Sequence, residues 1–231
     1  MGGEGYRTVN VVNQVVAWLS RSENWSGPDG IPVRLLEHVT YSVTALAVAA
    51  LIALPLGLWT GHTGRFGFLV ANLANAARAL PTVGVLILVV ALVGIGFTSG
   101  LVALVALAVP PILVNAYEGV RSVDPSIPSA AKGMGMRGSQ ILLRAELPVA
   151  LPAVLLGLRT AAVQIISTAT IAAFVGLGGL GRFIFDGYGR KEYDMLAGGA
   201  VLVALLAIAA EGLFTLLAIT LVSRGVRHRA P

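Results

Sequence analysis

SAAKGMGMRGSQILLRAELP, residues 129–148, is basic, glycine-punctuated and water-loving, yet it stands between two of the most apolar runs in the chain. Ala130 and Ala131 permit close approach of another surface, and Gly133, Gly135 and Gly138 permit sharp turns. Just upstream, Asp124-Pro-Ser-Ile-Pro has the residues of a short helix start. Such a segment suits docking into a cleft of another protein; taken alone, it equally suits an ordinary solvated connection. What lies on either side of it sets the context.

With 56% hydrophobic and 12% charged residues and a mean hydropathy of +0.85, the 231-residue chain has too little polar surface to cover a soluble globule. It is expected to lie in a bilayer. Having no cysteine, it can form neither disulfides nor thiolate metal sites. The net charge of +5 is best read by position, because Lys and Arg in short loops set membrane orientation, and nucleic acid is not an expected partner. His38, His62 and His228 lie far apart without metal-ligand spacing, and no serine has a histidine nearby in a credible cleft. Neither a metal site nor an enzyme is therefore expected.

The N-terminus lacks the continuous apolar core of a signal peptide and is expected to be retained. Val11, Val12, Val15, Val16 and Leu19 recur at helical spacing, which predicts a short amphipathic helix, either at the membrane interface or on the protein's own outer face. Spans of about 20 apolar residues are expected from about Val39 to Trp59, from Phe66 to Phe97, from Leu101 to Tyr117, from Leu147 to Val175 and from Met195 to Val222. Pro81 divides the second stretch, giving one kinked span or, as the alternative, two spans. With the N-terminus outside, the inner segments carry eight Lys and Arg residues and the outer ones six, so the quoted loop is expected in the cytoplasm.

At the residue level the loop resembles the EAA loop of permease subunits of bacterial ABC importers. The family pattern is Glu-Ala-Ala, three residues, a glycine, nine residues, an apolar residue, one further residue and then Leu-Pro. Ala130, Ala131, Gly135, Ala145, Leu147 and Pro148 occupy those places, while Ser129 stands where the family has glutamate. A hydroxyl there is expected to cap the short helix in place of a carboxylate contact. Within importers, Ala131-Lys-Gly-Met-Gly-Met136 and Gly178-Gly-Leu-Gly181 followed by Phe183-Ile-Phe most resemble permeases for glycine betaine, carnitine and choline; a methionine-importer permease is the runner-up.

The resemblance implies an all-α integral membrane protein of the bacterial plasma membrane. Its core would have five spans, or six if Pro81 marks a loop, with the N-terminus outside and the C-terminus cytoplasmic. It implies an outer arm at 1–37, a permease domain at 38–222 with a coupling loop at about 121–146, and a basic tail at 223–231. Ser129, Ala130, Ala131, Gly133, Gly135, Leu147 and Pro148 would form the ATPase-coupling loop. ATP and magnesium would be bound by separate ABC ATPase subunits and none in this chain. The other implied partners are a second permease subunit, identical or homologous, an extracytoplasmic substrate-binding protein and the lipid bilayer. A secondary transporter or channel is the reading from a different class.

Three ionisable residues, Arg78, Arg159 and Glu211, fall inside spans, each roughly 17 to 18 Å from the inner face at 1.5 Å per residue. Charges there need partners or water, so Glu211 is expected to pair with Arg159, with Arg78 as a further member of the network. On the outer side, Gly176-Leu-Gly-Gly-Leu-Gly181 satisfies G-x-G-x-x-G formally but ends a membrane span, where a flexible turn is expected rather than a nucleotide site. Gly178, Gly179, Gly181 and Phe183 are expected near the substrate pathway, and Trp25, Phe183, Phe185 and Tyr188 are candidates to face a quaternary ammonium ion or to form an interfacial belt.

Overall fold

The computed structural model describes residues 11–79 and 81–223; the basic tail from Arg224 and the side chains of Ala77 and Arg78 lie outside the described part. The helices are α1 (Val11–Leu19), α2 (Ile31–Thr63), α3 (Gly67–Ala79), α4 (Thr82–Val93), α5 (Phe97–Arg121), α6 (Ser126–Gly133), α7 (Gly138–Ile141), α8 (Leu147–Ala172), α9 (Gly181–Arg190) and α10 (Tyr193–Leu221). Among the described residues, four segments are apolar and long enough to cross a bilayer: Ile31–Thr63, Phe97–Arg121, Gly138–Val175 and Tyr193–Leu221.

The expected second span is broken. Pro81 takes an extended conformation at the N-cap of α4, so α3 ends at Ala79 and α4 starts afresh at Thr82. With 13 and 12 residues, each piece is about 20 Å long or less, short of the hydrocarbon thickness. Both pack along α5: α3 starts with Gly67 under the Tyr117 ring near the end of α5, and α4 leads through Gly94–Gly96 into its start.

The first span also differs from its expected bounds. α2 starts at Ile31, with Pro32 in its first turn where a missing N–H costs nothing. Ile31 is buried with Trp18, Leu180 and Phe183, so the expected boundary at 37/38 falls inside one continuous helix. α2 is therefore 33 residues long, about 50 Å, and extends beyond the hydrocarbon.

α2, α5 and α8 form the core, and small residues set their spacing. Ala45, Ala49, Ala53, Gly57 and Gly61 make a buried stripe along α2. A Cβ on Gly57 would lie 2.6 Å from the Leu113 carbonyl oxygen, and one on Gly61 would lie 2.8 Å from Val120 Cβ. α8 meets α5 in the same way, with Gly157 against Asn115 and Gly119 against Ala153. Water drives no helix association inside lipid, so van der Waals contact at close approach holds these pairs together. By contrast, only Gly198 and Gly199 are buried along α10, and they receive the Trp18 ring and Phe183. α1 thus packs through Val15 and Trp18 onto the protein's own surface and leaves Val11, Val12 and Val16 outward.

Replacing Gly57 by valine is expected to lower helix-pair stability by about 1–3 kcal/mol through overpacking. Gly133→Ala, where a Cβ meets nothing within 4 Å, should be neutral or slightly stabilising. Thermal unfolding of the two variants in detergent checks the contrast.

Candidate functional site: a docking platform, an outer clamp and a polar membrane face

The 129–148 segment folds into α6, a bend, α7 and a π-helical turn at Leu142–Glu146 that runs into α8. The Asp124 carboxylate accepts the Ser126 N–H at 2.8 Å and so begins α6. Contrary to the expectation from its place in the motif, Ser129 does not cap the helix; it lies one turn inside α6, and its hydroxyl donates to the Pro125 carbonyl at 2.7 Å. Of the three glycines, only Gly135 has a left-handed backbone, with φ of 82°, and it makes the bend. Gly133 is helical, and Gly138 opens α7 with the His62 ring close beside it. Ala131 is buried toward the protein while Ala130 and Met134 face outward.

Pro148 explains the π turn. It has no N–H to give the Arg144 carbonyl, and its ring would press on that carbonyl in a regular helix. Closing the turn one residue later, with the Leu147 N–H on the Leu142 carbonyl, relieves both problems. The wider turn brings the Glu146 side chain inward, where it is only 8% exposed and accepts a hydrogen bond from His62 Nδ1 at 2.6 Å. Neither His62 nor Glu146 stands out in the sequence, because 84 residues separate them.

At the opposite end, the glycine-rich connection is pinned rather than flexible. The Gly179 N–H donates to Glu37 Oε2 at 2.7 Å, and the Leu180 N–H donates to His38 Nδ1 at 3.2 Å. Since Nδ1 accepts, the His38 proton sits on Nε2 and is directed at the Ile166 carbonyl, 3.1 Å away. Arg34 braces Glu37 at 2.9 Å and also meets Asp29. A side chain on Gly178 would collide with Glu37, Gly179 has φ of 84° against His38, and a Cβ on Gly181 would collide with the Thr170 carbonyl. Phe183 is 5% exposed, edge-on to Trp18 at 5.2 Å. Gly178, Gly179, Gly181 and Phe183 therefore close this connection onto α1, α2 and α8, and Phe183 with Trp18 borders a cavity of about 480 Å³. Phe185 instead pairs with the exposed Phe174 at 5.4 Å, and Trp25 donates from its indole to the Leu19 carbonyl.

Between the two ends, the spans carry polar groups that lipid cannot satisfy. Arg159 of α8 and Glu211 of α10 form an ion pair, each about two-fifths exposed on the single chain (39% and 40%). The side chain of Arg78 lies outside the described residues. A second feature escaped the sequence reading. Asn115, Thr160 and Gln164 meet in a cavity of about 240 Å³ between α3, α5 and α8, beside Pro110 and Pro111. Those two prolines leave the Ala106 and Leu107 carbonyls without their helical donors. Thr160, Gln164 and Ser167 follow at intervals of four and three, a polar stripe on α8 that helical spacing alone would have revealed.

These features fit a helical membrane transport component. The chain belongs to the family described as binding-protein-dependent transport system inner membrane component, which matches residues 53–228. It is a multi-pass component of the plasma membrane and a permease of the ABC importer class. It is 35% identical over 175 residues to the choline transport system permease protein OpuBB of Bacillus subtilis, covering 76% of this chain and 81% of that protein. The carnitine transport permease protein OpuCB of Listeria monocytogenes is 31% identical over 179 residues, covering 78% and 82%. A chain of the MetNI methionine ABC transporter, solved in inward-facing conformations, shares the fold with a TM-score of 0.70 at 21% identity, covering 81% of this chain and 94% of that one.

His38→Leu is expected to leave the buried Leu180 N–H without an acceptor, a loss of about 1–3 kcal/mol. The variant should unfold at lower temperature in detergent and be cut by trypsin at Arg182 faster than the parent, which a paired measurement of both rates tests.

Proposed function

We infer that this chain forms one half of the membrane path of an ATP-driven importer for small quaternary-ammonium osmoprotectants of the glycine betaine, carnitine and choline type. The observation that carries the substrate class is the identity of 35% over three-quarters of the chain to a permease named for choline, with permeases named for carnitine and for glycine betaine, carnitine and choline beside it. In this reading α3 and α4 together make one broken crossing, so the chain crosses five times with its N-terminus outside. Five crossings enclose at most half a path, hence a second permease subunit. Segment 121–146, with Ser129, Ala130, Ala131, Gly133, Gly135, Leu147 and Pro148, docks on a separate ATPase, which binds ATP and magnesium.

The half-exposed Arg159–Glu211 pair and the Asn115, Thr160 and Gln164 cavity support a wet path on this side of α8 and α10, because such groups facing lipid would go unsatisfied. No position along α10 inward of Gly199 is buried on the isolated chain, which fits coverage by lipid and by a second subunit.

Uptake of labelled glycine betaine, carnitine and choline is measured in cells lacking the gene, with the intact chain or Gly135→Val restored. The intact chain should restore uptake of at least one compound. Gly135→Val, forced into a left-handed backbone that β-branched residues resist by about 1–3 kcal/mol, should reach the membrane and transport at least about tenfold less. If none of the three compounds enters, the substrate class is wrong and methionine is the compound to test. Glu211→Gln should lower uptake without lowering the amount of chain in the membrane; unchanged uptake would limit the ion pair to a structural role.

A further inference from the structure

In the family pattern the position just before Leu-Pro has no assigned residue, and in this chain it holds Glu146, a carboxylate that is only 8% exposed. Its partner, His62, ends a different span. α2 has no chain connection to the docking segment, since α3, α4 and α5 intervene in sequence. Motion of that segment therefore reaches α2 only through packing, either along α5 or through side chains of the segment itself.

Three observations converge on one junction. The π turn at Leu142–Glu146 is the only departure from regular helix among the described residues of 138–172, and it directs Glu146 at α2. The His62 ring lies between Glu146 and Gly138, 3.4 Å from where a Gly138 Cβ would be, so it touches both ends of the α7 and π segment. At the other end of the same two helices, His38 ties α2 to the Ile166 carbonyl of α8. α2 is thus tied to α8 by a buried bond near one end and to the turn leading into α8 by a part-buried one near the other, and the apolar groove of Val39, Leu46, Ile166 and Leu213 runs beside the first.

We propose that His62 and Glu146 form the joint through which the docking segment carries α2 along with α8, making both of them positioning residues for transport. The groups around the joint are Lys132 of α6 and Arg121 of α5, which line the adjoining cavity of about 360 Å³, so a carboxylate at 146 also answers their positive charge. This inference rests on the docking role proposed for segment 121–146 and adds residues that the motif does not include.

The test uses the full importer, permease with its ATPase and binding protein, in lipid discs and vesicles. Because the chain has no cysteine, spin labels are placed by Trp59→Cys near the inner end of α2 and Leu156→Cys on α8, both exposed positions. In the parent the label distance should stay the same between nucleotide-free and ATP-vanadate states, since the two helices move together. With His62→Phe or Glu146→Ala the distance should differ between the two states. Uptake per ATP hydrolysed should fall by about tenfold, an ordinary coupling free energy, while hydrolysis persists. The exchange His62→Glu with Glu146→His should recover coupling.

An unchanged distance together with an unchanged ratio in both single variants would overturn the proposal. Should Glu146→Ala fail to assemble, His62→Phe, which fills the space without a donor, is judged by the same two outcomes. The nucleotide-driven distance needs no substrate, so it stands apart from failure of the osmoprotectant assignment, which would show as absent uptake in the parent itself.

Discussion

Hydrocarbon offers no hydrogen-bond partner, and this constraint organises the whole molecule. Every polar group carried into the bilayer must be met by the chain, by water or by another subunit. The fold meets it in three ways. Most backbone groups close within helices, exposed hydroxyls such as Thr160 and Ser167 bond back to their own helix, and other polar side chains sit at helix crossings: His38 between α2 and α8, Asn115 where α5 crosses α8, and Arg159 opposite Glu211.

Small residues make those crossings possible. The stripe from Ala45 to Gly61 brings α2 against α5, and Gly119 and Gly157 do the same for α5 and α8. Once the three backbones lie this close, side chains as short as histidine and glutamate reach a neighbouring helix or turn directly. α10 lacks such a stripe beyond Gly198 and Gly199, and its inner half meets α8 through an ion pair instead. The contrast separates a closely packed three-helix core from a peripheral helix that is little buried on the single chain.

Prolines act as joints in this scheme rather than as defects. Pro81 separates α3 from α4, Pro110 and Pro111 border a partly polar cavity, and Pro148 widens one turn so that Glu146 swings inward. The same logic holds for the glycine-rich outer connection, where absent side chains let the backbone approach Glu37 and His38 closely enough to be clamped.

Composition and local pattern were enough to place the chain in a bilayer, to locate its apolar runs and the polar segment between two of them, and to foresee Arg159 opposite Glu211, because hydropathy, periodicity and depth are local quantities that can be counted along the chain. Hydropathy could not tell whether a proline kinks a helix or ends it; that depended on α5 offering a surface along which two separate pieces can pack. Nor could the motif tell that Ser129 would point back into its own helix or that Phe183 would be buried behind Trp18. His62 with Glu146, and Glu37 and His38 with the 178–180 turn, were decided by tertiary structure alone. Their partners lie 84 and 142 residues away, and only the packing of α2 against α8 brings them within reach of a hydrogen bond.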